Sequence, residues 1–167
     1  MTSIAENIRS IRERMDRAAR AAGRDPSEVL LVGASKMNDA AACQAAIAAG
    51  IDALGENRVQ EMTAKLAEGA YDGAPLHFIG HLQRNKVRQV VGTVSLIHSV
   101  GSWPLLEEIQ RQAERRELTQ AERRISELDV LFQRIYEDNI SGKLSDERFS
   151  KLSKSYEDEQ RTLSEKA

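Results

Sequence analysis

In the stretch VLLVGASKMND, which begins at Val29, an apolar run stops at Ser35-Lys36. A lysine partly desolvated at a strand end, where its pKa can fall, is better suited to act as a nucleophile than one in bulk water. The carboxyl ends of strands are also where α/β folds place ligands, because the loops leaving the strands converge there. A lysine equally ends a strand because its ammonium reaches water while its stem packs. Three further polar residues hold comparable places: Asn57 closes ALGEN, His81 follows LHFIG, and Ser99 follows SLIH. Each has a plain structural alternative, the asparagine and serine as turn or cap residues and the histidine, like His77, as a hydrogen-bonded structural group. No carboxylate pair or His-x-x-His spacing suggests a metal. The one cysteine, Cys43, permits no disulfide within the chain.

The elements that must position these residues alternate between helix and strand. Ser3 and Glu6 form a capping box, and Ile4, Ile8, Ile11, Met15 and Ala19 recur at helical spacing up to Gly23. An apolar strand over residues 29–34, with branched residues on both parities, is expected to be covered on both faces. An alanine-rich helix over 39–49 follows. Three more apolar segments, IDALGEN, LHFIGHLQ and VSLIHSV, each lead into a helical stretch: RVQEMTAKLAEG, NKVRQVVG and a helix beginning near Ser102. The order predicts α/β architecture with a parallel four-stranded sheet and right-handed crossovers.

After residue 117 the strands stop. Thr119 and Glu122 predict a second capping box, with Ile125, Leu128, Phe132 and Ile135 on one stripe. Gly142 ends that helix, and Ser145 caps another carrying Phe149, Leu152, Tyr156 and Leu163. The pattern predicts a C-terminal antiparallel helical hairpin or one strand of a coiled coil, dividing the chain into residues 1–117 and 118–167. The word QAERR, at Gln112 and again at Gln120, marks the seam.

Twenty-four basic residues against 26 acidic ones give no charge excess for nucleic acid or an anionic membrane. The amino terminus reads as neither signal peptide nor anchor, no apolar run approaches the roughly 20 residues needed to span a bilayer, and a single cysteine suits a reducing cytoplasm.

Taken together, ENIRSIRERMDRAARAAGRDP, VLLVGASK, ALGENRVQE, LHFIGHLQRNKVRQVV and IHSVGS resemble the amino-terminal half of the pyridoxal 5′-phosphate (PLP) homeostasis proteins over residues 1–117. The resemblance implies a TIM-type barrel like the amino domain of alanine racemase. It also implies a non-catalytic protein that holds PLP as an internal aldimine on Lys36. Asn57, His81 and Ser99 would then lie around the cofactor, Asn57 bonding substituents of the pyridine ring or orienting Lys36. Met37-Asn38, Arg58, Leu76 and Gly101 depart from the residues usual in that family. An eight-stranded barrel needs roughly 200 to 250 residues. The four strands expected here make a truncated, partial barrel, without the family's later phosphate-gripping loops.

The tail, over residues 121–166, resembles a helical segment near the carboxyl end of large serine recombinases, without recombinase chemistry. Three functions follow as expectations: a cofactor carrier impaired by the missing half, a self-associating helical module or non-functional fusion product, and, least favoured, a PLP-dependent racemase. A racemase needs a second acid/base, and Tyr71, Tyr136 and Tyr156 lie in no motif for it. Open sheet edges and the helical tail predict a homo-oligomer.

Overall fold

The structure is a computed structural model, and it describes residues 3–166. It divides into two compact units, Met1–Gln110 and Arg111–Ala167. In the first unit, α1 (Ile4–Ala21) opens on the expected capping box: the Ser3 amide donates to Glu6 at 2.8 Å and the Glu6 amide to the Ser3 hydroxyl at 3.2 Å. Of the expected stripe on α1, Ile8 and Ala19 are buried, whereas Ile4 and Ile11 remain exposed.

Four βα units follow. They comprise β1 (Val32–Ala34), α2 (Ala40–Ala48), β2 (Ala53–Glu56), α3 (Val59–Ala67), β3 (Leu76–Phe78), α4 (Val87–Val90), β4 (Leu96–Ile97) and α5 (Trp103–Ile140). The sheet is parallel throughout, in the order β1-β2-β3-β4. The first strand starts three residues later than its apolar run. The Leu31 amide, which would open the ladder, donates instead to the Asp52 carboxylate at 2.5 Å, and that carboxylate is held by Arg12 of α1 at 2.6 Å. The helix expected in NKVRQVVG is a single 3₁₀ turn followed by one α-helical turn, ended at Gly92, whose φ is 75°.

Register decides which side chains share a face. Leu54 and Leu76 pair on one face, as do Glu56, Phe78 and Ile97. Leu54, Leu76 and Phe78 join Cys43, Ala46, Met62, Val87, Val90 and Leu105 in one buried cluster, so the helices cover this face. Fully burying side chains such as Met62, Phe78 and Val87 contributes about 1.5–3 kcal/mol each. The opposite face carries Ala34, Gly55, His77 and Leu96 in register. The expectation of cover on both faces fails there for the edge strands, since Ala34 is exposed and Leu96 is 50% exposed. Helices supply the cover of one face only, and in a barrel the other is covered by strands across the ring.

In the second unit the expected break before Thr119 is absent. The helix α5 runs from Trp103 to Ile140, and the Thr119 hydroxyl donates to the Arg115 carbonyl one turn back at 2.9 Å, so it caps nothing. The repeated QAERR lies inside this one helix, its first copy just beyond the division between the two units. Gly142, with φ 74°, ends it, and the Ser145 hydroxyl accepts from the Arg148 amide at the start of α6 (Asp146–Lys166). Arg124 meets Glu159, Gln160 meets Asp129, and Phe149 meets both Phe132 and Tyr136. No described helix is long and apolar enough to cross a membrane.

Candidate functional site

At the carboxyl end of β1 the chain turns sharply through Ser35, Lys36, Met37 and Asn38. The Asn38 amide donates to the Ser35 carbonyl at 3.1 Å, closing a four-residue turn. Met37 occupies its third position with φ 63°, the left-handed region that favours glycine or asparagine. The main chain on both sides of Lys36 is held by α3. Lys65 donates to the Ser35 carbonyl at 2.7 Å, and Glu61 accepts from the Met37 amide at 2.8 Å. Lys36 itself is exposed, which corrects the expectation of a partly desolvated amine. Among the lysines whose burial is described, Lys65 is the buried one, 7% exposed.

Lys65 belongs to a polar network on the helix side of the sheet. Oε1 of Glu56, a fully buried residue, accepts from the Ser35 hydroxyl at 2.7 Å, Lys65 at 2.7 Å and the Tyr71 hydroxyl at 2.9 Å. Its other oxygen is buried with no partner among the described residues. Lys65 also reaches Glu61 at 3.0 Å. Burial pulls the Lys65 ammonium down, but its bonds to Glu56 and Glu61 outweigh that and leave it above its ordinary value. Glu61 is held below the carboxylate range by Lys65 and then by the Met37 amide. Burial, followed by the Glu56 carboxylate, pushes the Tyr71 phenol up.

Asn57 follows β2 and is partly buried, and its Oδ1 is buried without a hydrogen-bond partner among the described residues. Gly80 lies against it. A Cβ on Gly80 would fall 2.6 Å from the Asn57 Cα, so only glycine permits the approach. Asn57 lines a cleft of about 190 Å³ together with Arg58, His81, Gln83 and Lys86. Asn57 and His81 thus come together as expected residues, while Lys36 and Ser99 are not in the walls of that cleft. Ser99, two residues beyond β4, is partly buried. His77 is buried, and its Nδ1 lies 3.1 Å from Nε2 of His98. Burial, followed by the charge of His98, lowers the His77 pKa.

Sequence reasoning missed Glu56, Glu61, Lys65 and His98. A carboxylate in the middle of the apolar word ALGEN announced a buried counter-charge, and Glu61 with Lys65 stands at the i,i+4 spacing of a helical ion pair. His98 lies at the same sheet edge as Ser99, but with nothing in its own neighbourhood to single it out.

No family model matches the chain. The chain is 42% identical over 112 residues to the pyridoxal phosphate homeostasis protein of Pseudomonas aeruginosa, an alignment covering 67% of this chain and 49% of that protein. It is 36% identical over 115 residues to the protein of the same name from Aquifex aeolicus, covering 69% and 50%. Among solved structures, an unknown protein from Bifidobacterium adolescentis superposes with a TM-score of 0.60 at 36% identity, covering 70% of this chain and 50% of that one. PipY of Synechococcus elongatus, solved without PLP, gives a TM-score of 0.50 at 43% identity, covering 59% and 46%. The chain spans about half the length of the curated relatives it matches, and over that span it is similar to the pyridoxal phosphate homeostasis proteins.

Proposed function

We propose that this chain binds PLP without catalysing a reaction, as part of a cytoplasmic cofactor-homeostasis protein, with Lys36 as the residue that holds the cofactor. Lys36 carries the reading. It is an accessible primary amine, in a turn fixed on both sides, at the carboxyl end of a parallel strand in a region similar to PLP homeostasis proteins. PLP supplies an aldehyde with which a primary amine condenses, releasing one water. The remaining residues suit the group. Asn57 offers a buried acceptor without a partner among the described residues, and Arg58 and Lys86 beside His81 give the cleft the positive charge an anionic ligand needs. Asn57, His81 and Ser99 are assigned to the cofactor with Lys36, and the four βα units to part of a TIM-type barrel.

The non-catalytic reading is favoured by Tyr71. It is the only tyrosine in the first unit, and its hydroxyl is buried and committed to Glu56 on the helix side of the sheet. It is therefore removed from service as a second acid/base. The second unit is read as an antiparallel helical hairpin, supported by the Arg124–Glu159 pair and by Phe149 against Phe132 and Tyr136. Titration of the chain with PLP tests the assignment. The long-wavelength absorbance of a PLP–lysine adduct is expected for the unaltered chain and absent for Lys36→Ala. An unchanged spectrum in that variant would remove Lys36 from the site.

A further inference from the structure

We propose that the Lys65–Glu61 ion pair of α3 is a clamp that positions Lys36. One member holds the carbonyl before that lysine and the other holds the amide after it. The inference rests on the reading of Lys36 as the cofactor residue and adds two positioning residues to it.

Three observations carry it. Lys65 donates to the Ser35 carbonyl at 2.7 Å, Glu61 accepts from the Met37 amide at 2.8 Å, and the two are joined at 3.0 Å, so a single salt bridge spans the peptide units flanking Lys36. The turn they grip is strained. Met37 holds φ 63° and is 94% exposed, so its own side chain contributes no packing that would keep it there. A non-glycine residue stays in that region only where its surroundings over-determine it, and here α3 supplies the restraint. The clamp is itself anchored. Lys65 cannot swing away without leaving buried Glu56 short of a donor, and Ser35 is tied to the same Glu56 oxygen through its hydroxyl. A buried carboxylate on β2 thus fixes a lysine on α3, which fixes the turn after β1. Without the clamp Lys36 would still be present and exposed, but its amine would sample many positions relative to Asn57 and the cleft, and the entropy of gathering them would fall on cofactor binding.

The test uses the full chain with Glu61→Ala, Lys65→Met and, as a control at the exposed carboxyl cap of the same helix, Glu68→Ala. Amide hydrogen exchange at Met37 is measured in the cofactor-free chain, and the rate of PLP adduct formation at Lys36 is measured by borohydride trapping and peptide mapping. Glu61→Ala is expected to speed Met37 exchange and to slow adduct formation by about tenfold or more, as for loss of a charge-assisted hydrogen bond. Its melting midpoint should stay close to that of Glu68→Ala, because Glu61 is partly exposed. Lys65→Met should do the same or fail to fold, and the Glu61 variant decides the matter in either case. Unchanged exchange and unchanged rate in Glu61→Ala, with an adduct forming on Lys36 of the unaltered chain, would overturn the clamp alone. No adduct on Lys36 of the unaltered chain would overturn the functional reading and the positioning role with it, even where Met37 exchange responds as expected.

Discussion

Lys36 and Lys65 divide between them two properties that a sequence reader assigns to one residue. Lys36 has the position, at the mouth of the sheet, and Lys65 has the burial. The place of Lys36 was legible because an apolar run ending on a lysine is a local pattern. The burial of Lys65 was not, because it depends on Glu56 and Ser35 reaching it from two other elements. The same holds for His77, whose neighbour His98 immediately follows the next strand. Its pKa is lowered in the folded state by burial and then by His98. The unfolded chain therefore takes up a proton, near its ordinary value of about 6.5, that the folded chain refuses, and stability falls as pH drops through that window. Melting midpoints from about pH 7 down to pH 5 are expected to fall, and His77→Gln should flatten part of the fall. A midpoint that rises on acidification, or the same slope in His77→Gln, would contradict the account of this pair.

Among the elements, existence was easier to read than extent. The capping box at Ser3 and the glycine stops at Gly23 and Gly142 are local chemistry, and they lie where expected. Residues 29–31 looked like strand because they are apolar, yet Asp52, twenty-one residues on, takes the Leu31 amide out of the ladder. Thr119 misled for a related reason. A threonine followed three residues later by glutamate reads as a helix start, but α5 already supplies the Thr119 amide with helical context, and its hydroxyl turns back to Arg115. Thr119→Ala is therefore expected to leave stability unchanged or raise it by a few tenths of a kcal/mol, since alanine has the higher helix propensity. A loss near 1 kcal/mol, the usual cost of removing an N-cap, would restore the break the sequence suggested. Chemical denaturation of the two chains side by side reads the difference.

For the whole molecule, the sequence pattern gave the parallel order and the carboxyl-end placement of Lys36 and Asn57, because alternating helix and strand with short connections leaves few topologies. The cover of the second sheet face was not legible, since a barrel strand and a doubly covered strand carry the same apolar composition. Among the described residues β1 pairs only with β2 and β4 only with β3, and Ala34 and Leu96 are exposed on the face away from the helices. Open edges of this kind favour pairing with another chain. Sedimentation at micromolar concentration is expected to show a dimer or larger assembly, and a well-behaved monomer would show that the edges are tolerated in water.

The central claim concerns one amine. Incubation of the full chain with PLP, reduction with borohydride and mapping of the modified peptide by mass is the most direct measurement of it. The account predicts a pyridoxyl group on Lys36 and little on the other lysines. Modification centred on Lys86 or Lys65 with Lys36 untouched, or no site-selective modification at all, would contradict it.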